Sequence, residues 1–267
     1  TGETPGRFIQ RLRIEKAAGR LIDNPRASIT DIALDCGFSG SAAFARAFRD
    51  AFGVSASVWR ARHRKECKTD SKGSQTNGKG GKDIPAASMY FDAVTHQFAW
   101  RIAMNDRPIT VEVRERPDIT VAYVRHVGPY KGDSALFERL FTRICTWAGP
   151  RGLIRPGETL FYSVYHDNPD ITDEDKLRIS VGLSVPADTP VDGGIGLMTI
   201  PGGKIAEAHF ELNPAEYMDA WNAVYGEWLP SSGYQPDDRP CFERYPLDAV
   251  TPKGTHIVDI CVPVRPL

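Results

Sequence analysis

The sequence is poor in the features that mark disulfide-rich, metal-binding or membrane proteins. Its 267 residues include only five cysteines, which are widely spaced and form no C-x-x-C pair. This usage argues against a disulfide framework or a zinc site and favours reduced thiols in a cytoplasm. No apolar run approaches the length of a membrane span, and no charged-then-apolar signal peptide opens the chain. We therefore expect no membrane partner.

Enzyme signatures are scarce as well. The sequence has no phosphate-binding glycine loop, no H-E-x-x-H motif and no G-x-S-x-G motif. Its six histidines are scattered, with no pair at metal-ligand spacing. We therefore expect neither a cofactor nor a metal. The chain is long enough for two globular domains, and its 41% hydrophobic and 25% charged residues are ordinary for such domains.

The net charge of −1 hides a division between the two parts of the chain. Residues 1–82 contain 16 Lys/Arg and 8 Asp/Glu, a balance of +8, whereas the remainder contains 17 and 26, a balance of −9. A basic part suits a polyanion and an acidic part is repelled by one. The two parts are therefore expected to have different partners.

The stretch 28–60 predicts two helices joined by a tight turn. Ser28 caps the first helix in a capping-box pattern with Asp31, Gly37 ends it, and we expect Ser39 to open the second. The first helix has an apolar stripe formed by Ile29, Ile32, Ala33 and Cys36, and the second has one formed by Phe44, Ala47, Phe48 and Ala51.

The opposite face of the second helix has the residue types of a DNA-recognition helix. Small side chains let a helix sit deep in a major groove, and arginine donates in a fork that suits guanine or phosphate. The predicted DNA contacts are Ser41, Ala42, Ala45, Arg46 and Arg49. The alternative is a small helical bundle whose exposed face happens to hold arginines.

Residues 37–60 carry a resemblance to a known family. The runs G-F-S at 37–39, F-A-R-A-F-R at 44–49, F-G at 52–53 and W-R at 59–60 resemble the second helix-turn-helix of AraC-type transcription regulators, which implies binding to double-stranded DNA. Ala56 departs from the family pattern, which usually has a proline there. A helix beginning at Pro5 resembles the helix that links the family's two helix-turn-helix motifs, so we expect a fragment that lacks the first motif. The apolar side of this linking helix comprises Ile14, Ala17, Ala18 and Leu21.

From residue 109 onward the pattern becomes strand-like and repeats. Two extended runs precede a helix near 132–148 and two follow it, and the same order recurs around a helix near 214–229. Strand-strand-helix-strand-strand occurring twice predicts a duplicated α+β unit. Two such units side by side leave a groove at their pseudo-twofold seam, where small-molecule sites commonly form.

A second resemblance covers this half. The runs H-V-G-P-Y at 126–130, Y-H-D-N-P at 165–169, P-C-F-E-R-Y at 240–245 and V-D-I-C-V-P-V at 258–264 resemble the GyrI-like (gyrase-inhibitor-like) ligand-binding domain. That family includes effector domains of multidrug-responsive regulators. A glutamate at this point of the last strand lies in the family's ligand cavity and attracts cationic aromatic compounds, and the resemblance implies the same role for Asp259.

The residues around Asp259 leave two interpretations open. Aliphatic neighbours predict a strand that is buried on both faces, where ionising a carboxylate is costly without a partner. The partner is either a cationic ligand or an internal Arg, Lys or Tyr. Glu243, which shares one side of a strand with Tyr245, is either a second pocket acid or a surface charge. The predicted ligand contacts are Asp259, Tyr162, Trp221, Tyr245, Glu243 and Phe210.

These patterns predict an α+β protein in three parts. An all-α helix-turn-helix domain occupies residues 1–63, a linker with a partly ordered aromatic segment occupies 64–107, and a duplicated α+β effector domain with a seam pocket occupies 108–267. Residues 64–82, rich in Gly, Ser and Lys, are the expected flexible tether.

The predicted function is that of a ligand-responsive AraC-type transcription regulator. Its partners are double-stranded DNA and a small aromatic or cationic effector. The alternative is a GyrI-like hydrolase of reactive electrophiles, with Asp259 or Glu243 as the general base.

Overall fold

The computed structural model describes residues 2–24, 26–69, 87–92, 97–104 and 107–267. The chain divides into two compact units: Thr1–Asp83 with Asn168–Asp173, and Ile84–Asp167 with Glu174–Leu267. The predicted tether begins inside a helix that continues to Thr69, and its remaining residues, 70–82, lie outside those described.

The first unit consists, in its described part, of the helices α1 Pro5–Asp23, α2 Ile29–Asp35, α3 Ser41–Phe52 and α4 Ala56–Thr69. Ser28 caps α2 as predicted, because its hydroxyl accepts a hydrogen bond from the Asp31 amide at 3.0 Å. Gly37 ends α2 at a φ of +83°, a left-handed conformation that glycine adopts without steric cost.

The predicted apolar stripes form the core of this unit. The fully buried members are Ile14, Ala17, Ala18, Leu21, Ile32, Ala33, Cys36, Phe44 and Phe48. Two details of α3 were predicted wrongly. Gly40, not Ser39, precedes its first turn, and Ala51 is exposed, because Phe52 and Trp59 fill the space against Phe48.

The second unit contains one long antiparallel sheet with helices on one face. Its elements are β1 Ala87–Asp92, β2 Gln97–Met104, β3 Arg107–Arg116, β4 Ile119–Val127, α5 Ser134–Ala148, β5 Leu160–Tyr165, β6 Arg178–Ser184, β7 Gly196–Ile200, β8 Gly203–Leu212, α6 Tyr217–Asn222, β9 Tyr234–Pro236, β10 Cys241–Pro246 and β11 His256–Pro266. After α6 the helix continues as a π-helical turn, Ala223–Trp228, and a 3-10 turn, Leu229–Ser231.

The strand order confirms the predicted duplication. Beyond the β1–β2 hairpin, the sheet runs β3-β8-β11-β10-β5-β6-β4-β7, with β9 paired to β11. The first repeat is β3-β4-α5-β5-β6 and the second is β7-β8-α6-β10-β11. The strands β3, β4, β5 and β6 of the first repeat correspond to β7, β8, β10 and β11 of the second. Exchanging each strand for its counterpart gives the same order read backwards, so a pseudo-twofold axis passes between β10 and β5. The predicted seam between the two repeats therefore lies between these two strands.

Each repeat packs its helix on the same face of the sheet. One cluster joins α6 to β8 and β11, and a second joins α5 to β4, β5 and β6. On the opposite face a third cluster includes Tyr162, Phe242 and Cys261. Strand alternation explains this division, because successive side chains point to opposite faces. The segment 84–107, whose packing the sequence did not locate, contributes β1 and β2, with β2 paired to β3.

Candidate functional site

The seam between β10 and β5 places two central residues side by side. Glu243 of β10 lies directly across from Ser163 of β5, and the flanking pairs are Cys241 with Tyr165 and Tyr245 with Phe161. The pseudo-twofold axis relates Tyr245 to Tyr165 and Glu243 to Ser163. The seam therefore has matching tyrosines on its two sides but different residues at its centre.

Glu243 is a buried carboxyl group surrounded by hydrogen-bond donors. Its side chain is only 2% exposed. The hydroxyls of Tyr165 and Tyr245 each donate to Glu243 Oε2 at 2.7 Å, and Trp221 Nε1 donates to Oε1 at 2.8 Å. Burial raises the pKa of Glu243 from its usual value, and the three donors act in the opposite direction. Because an ionised carboxylate only accepts hydrogen bonds, this set of donors matches the charged form.

The rings around Glu243 form an arrangement that we call the aromatic box, comprising Tyr165, Tyr245, Trp221 and Phe141. Trp221 of α6 meets Tyr165 edge-on with centroids 5.6 Å apart and planes at 85°. Phe141 of α5 meets Tyr245 in the same way, at 5.9 Å and 86°. The pseudo-twofold axis therefore also relates Trp221 to Phe141. Electron-rich faces beside a buried acid attract a cation that has lost its water.

Asp259 lies on the opposite face of the sheet, in an ionic network that also includes Arg244, His209, Glu207 and Arg116. Arg244 donates to Asp259 Oδ2 at 2.8 and 3.1 Å, and His209 Nδ1 lies 2.7 Å from Oδ1. Arg244 also contacts Glu207, at 3.1 and 3.2 Å, and Arg116 completes the network with bonds to Glu207 of 2.6 and 2.7 Å. Asp259 is thus held by two internal partners, Arg244 and His209.

The network shifts the pKa values of its members in the directions that ion pairing requires. Burial acts to raise the pKa of Asp259, but the bonds from His209 and Arg244 outweigh it, and the pKa is lowered. Glu207 behaves likewise, because Arg116 and Arg244 outweigh the effect of burial. The bond to Asp259 raises the pKa of His209. Each of these shifts favours the charged form of the group.

The structure brings together three of the six predicted ligand contacts. Glu243, Trp221 and Tyr245 form one cluster, whereas Asp259 and Tyr162 lie on the opposite face. Phe210 is fully buried in the core beneath α6. The role of Asp259 as the pocket anion stays a prediction, and the geometry favours Glu243 instead. The predicted ligand contacts did not include Tyr165, Phe141 or Ser163, although Tyr165 is one of the aromatic residues of a run that resembles the GyrI-like domain.

The predicted DNA contacts lie together on the surface of α3. Ser41, Ala42, Ala45, Arg46 and Arg49 are all exposed. Four of them, with Asp50, line a shallow surface groove of about 310 Å³; Ser41 is the exception. Phe44 and Phe48 are buried on the other side, which fixes the rotation of the helix. The arginines therefore face outward from the aromatic core.

Neither a metal-binding cluster nor a membrane-spanning helix occurs within the described ranges. No group of three or more His, Cys, Asp or Glu side chains within them is arranged to hold a metal ion. None of the helices within them is long and apolar enough to cross a membrane.

Family models match both parts of the chain. The model of the GyrI-like small molecule binding domain matches residues 109–265, and a helix-turn-helix domain model matches residues 1–62. A DNA gyrase inhibitor of Citrobacter rodentium is 30% identical over 159 residues, which are 58% of this chain and 97% of that protein. A DNA gyrase inhibitor of Edwardsiella ictaluri is 34% identical over 129 residues, or 47% of this chain and 80% of that protein.

Solved structures share the fold of the second unit. The C-terminal domain of EcmrR matches with a TM-score of 0.50 and 18% identity, covering 60% of this chain and 99% of that domain. EcmrR in a DNA complex matches with the same score and identity, but the match spans only 58% of the EcmrR chain. At 18% identity this likeness concerns the fold alone.

Proposed function

The chain belongs to the GyrI-like small-molecule-binding family and carries an AraC-type helix-turn-helix domain, and from this premise we propose that it senses an aromatic cation through Glu243. The two domains make it a ligand-responsive transcription regulator and not an enzyme, with DNA and a small molecule as its partners. We assign it to the cytoplasm, where its DNA target is accessible.

The observation that carries the proposal is a buried acid inside the aromatic box. Glu243 has neutral donors as partners, whereas Asp259 is already paired with the Arg244 guanidinium and hydrogen-bonded to His209. An incoming cation therefore gains a full charge partner at Glu243 and competes with arginine and histidine at Asp259. Because Glu243 is 2% exposed, Trp221 or Tyr245 must move for a ligand to enter.

On the DNA side, we propose that α3 is the recognition helix. Arg46 and Arg49 contact base edges or phosphates, while Ser41, Ala42 and Ala45 allow the close approach of the helix to the groove. The basic balance of residues 1–82 supports this arrangement.

The test compares a cation with its neutral isostere. N-methylquinolinium and 1-methylnaphthalene have the same shape, so the difference in their affinities isolates the charge. Glu243→Gln is expected to weaken binding of the cation at least about thirtyfold, or about 2 kcal/mol, and to change binding of the neutral compound little. Asp259→Asn is the matched control and is expected to keep the preference for the cation. The opposite result, with Asp259→Asn alone removing the preference, would refute the role of Glu243.

A further inference from the structure

Ser163 is a buried polar residue at the centre of the seam. It is 0% exposed, lies on the strand face of Phe161 and Tyr165, and faces Glu243 across the pseudo-twofold axis. Among the residues that the structure describes, its hydroxyl has no hydrogen-bond partner. Buried hydroxyls are nearly always bonded, because removing one from water without compensation is costly.

A neighbouring serine shows what the ordinary arrangement looks like. Ser180 of β6 is also 0% exposed, but its hydroxyl accepts from Arg125 Nε at 3.0 Å and lies 2.9 Å from His166 Nε2. Of these two buried serines, Ser180 is therefore hydrogen-bonded, whereas Ser163, beside the aromatic box, is not. Structural packing does not require a hydroxyl at position 163, since alanine would fill nearly the same volume.

The pseudo-symmetry indicates which end of a ligand the unbonded hydroxyl of Ser163 would contact. In one half of the aromatic box, Glu243 lies beneath Trp221, which donates to it. In the other half, the equivalent positions are occupied by Ser163 and Phe141, so a neutral hydroxyl replaces the acid and an apolar ring replaces the indole. The two halves therefore suit the two different ends of one asymmetric ligand.

We propose that the Ser163 hydroxyl binds the effector and selects aromatic cations that carry a neutral hydrogen-bonding group on the side away from the charge. The proposal rests on the proposed function and deepens it: Glu243 takes the cationic end, and Ser163 exchanges a hydrogen bond with a hydroxyl, amide or ether at the other end. No bond is made or broken, and only hydrogen bonds are exchanged on binding.

A first experiment needs no ligand. If the hydroxyl is unbonded, Ser163→Ala should leave the midpoint of thermal unfolding within about 1 °C or raise it, whereas the control Ser180→Ala should lower it by about 2–6 °C. A fall in the midpoint for Ser163→Ala as large as that for Ser180→Ala would mean that position 163 is bonded in the free protein, and would overturn the proposal.

A second experiment uses N-methylquinolinium and a series that carries a hydroxymethyl group at each ring position in turn. At least one derivative should bind wild-type protein about threefold to tenfold more tightly than the parent, and that advantage should disappear in Ser163→Ala. Affinity for the parent should be unchanged by the substitution. Binding of the parent with no derivative sensitive to Ser163 would overturn this proposal alone. Failure of every cation to bind would remove the proposed function, and this proposal with it.

Discussion

Replacement of Arg244 by methionine removes the cation that joins Asp259 to Glu207 in the ionic network. Methionine preserves most of the length and volume of the arginine stem, so the lost quantity is mainly charge and hydrogen bonding. Both carboxylates are mostly buried, with side-chain exposures of 22% for Asp259 and 9% for Glu207. Asp259 retains His209 as a partner, and Glu207 retains Arg116.

The magnitude follows from this partial compensation. Removing one partner of a fully buried ion pair costs about 3–5 kcal/mol. Because both acids keep a second partner, we expect a loss of about 2–3 kcal/mol in the free energy of unfolding. For a domain of this size that loss lowers the unfolding midpoint by about 4–12 °C. Arg155→Met is the matched control, since Arg155 and Glu158 are 63% and 70% exposed and should contribute little.

The pH dependence provides a second readout in the same assay, thermal unfolding of the full chain followed by near-UV circular dichroism. The folded pKa values of Asp259 and Glu207 are lowered, so their stabilisation is present above the ordinary carboxyl pKa, near about 4, and is lost as the pH falls further. The difference between wild-type protein and Arg244→Met should therefore be largest at neutral pH and shrink below about pH 4. An unchanged midpoint, or a loss that does not vary with pH, would refute the reasoning.

Three further predictions concern the two binding surfaces and one turn. Because burial raises the pKa of Glu243, its carboxyl stays protonated to a higher pH than that of an exposed glutamate, so affinity for N-methylquinolinium should fall as the pH is lowered through that pKa, as calorimetry at several pH values would measure; a flat profile down to acidic pH would contradict this. Arg46→Ala should weaken binding to an operator selected from random DNA by about 1–3 kcal/mol in fluorescence anisotropy, whereas Arg139→Ala on α5 should not. Gly37→Ala should destabilise the helical unit by about 1–2 kcal/mol in urea unfolding, because φ is +83° and the new Cβ would lie 3.2 Å from Arg13 Nε. Gly40→Ala, at an extended φ of 164°, is its control and should have a much smaller effect.

Local patterns predicted most of the fold. The helix expected near 132–148 is α5, Ser134–Ala148, and the capping of α2 by Ser28 and its end at Gly37 were anticipated from neighbouring residues alone. These features depend on the helical period, on caps and on turn residues, all of which lie within a few positions of one another. The helix start at Ser39 was predicted wrongly because a serine before a helix usually caps it, whereas here the chain bends once more at Gly40.

The candidate site was harder to predict because its members come from different repeats. Strand alternation correctly put Glu243 and Tyr245 on one side, and the hydrogen bond between them confirms it. Alternation cannot say which side faces the helices, and the aliphatic neighbours of Asp259 look the same for either orientation. The pairing of Asp259 with Arg244 depends on the register of β10 against β11. That register is a property of the assembled sheet and cannot be read from either strand alone.

The central claim, that occupancy of the effector site alters DNA binding, is tested most directly by one titration. The full chain is bound to its selected, fluorescently labelled operator, and the dissociation constant is measured by anisotropy with and without saturating N-methylquinolinium. Coupling between two sites in one protein typically amounts to about 1–3 kcal/mol, so the constant should change by at least about fivefold in wild-type protein. In Glu243→Gln the change should disappear at the same cation concentration. An operator affinity that stays the same when the cation is demonstrably bound to wild-type protein would contradict the account.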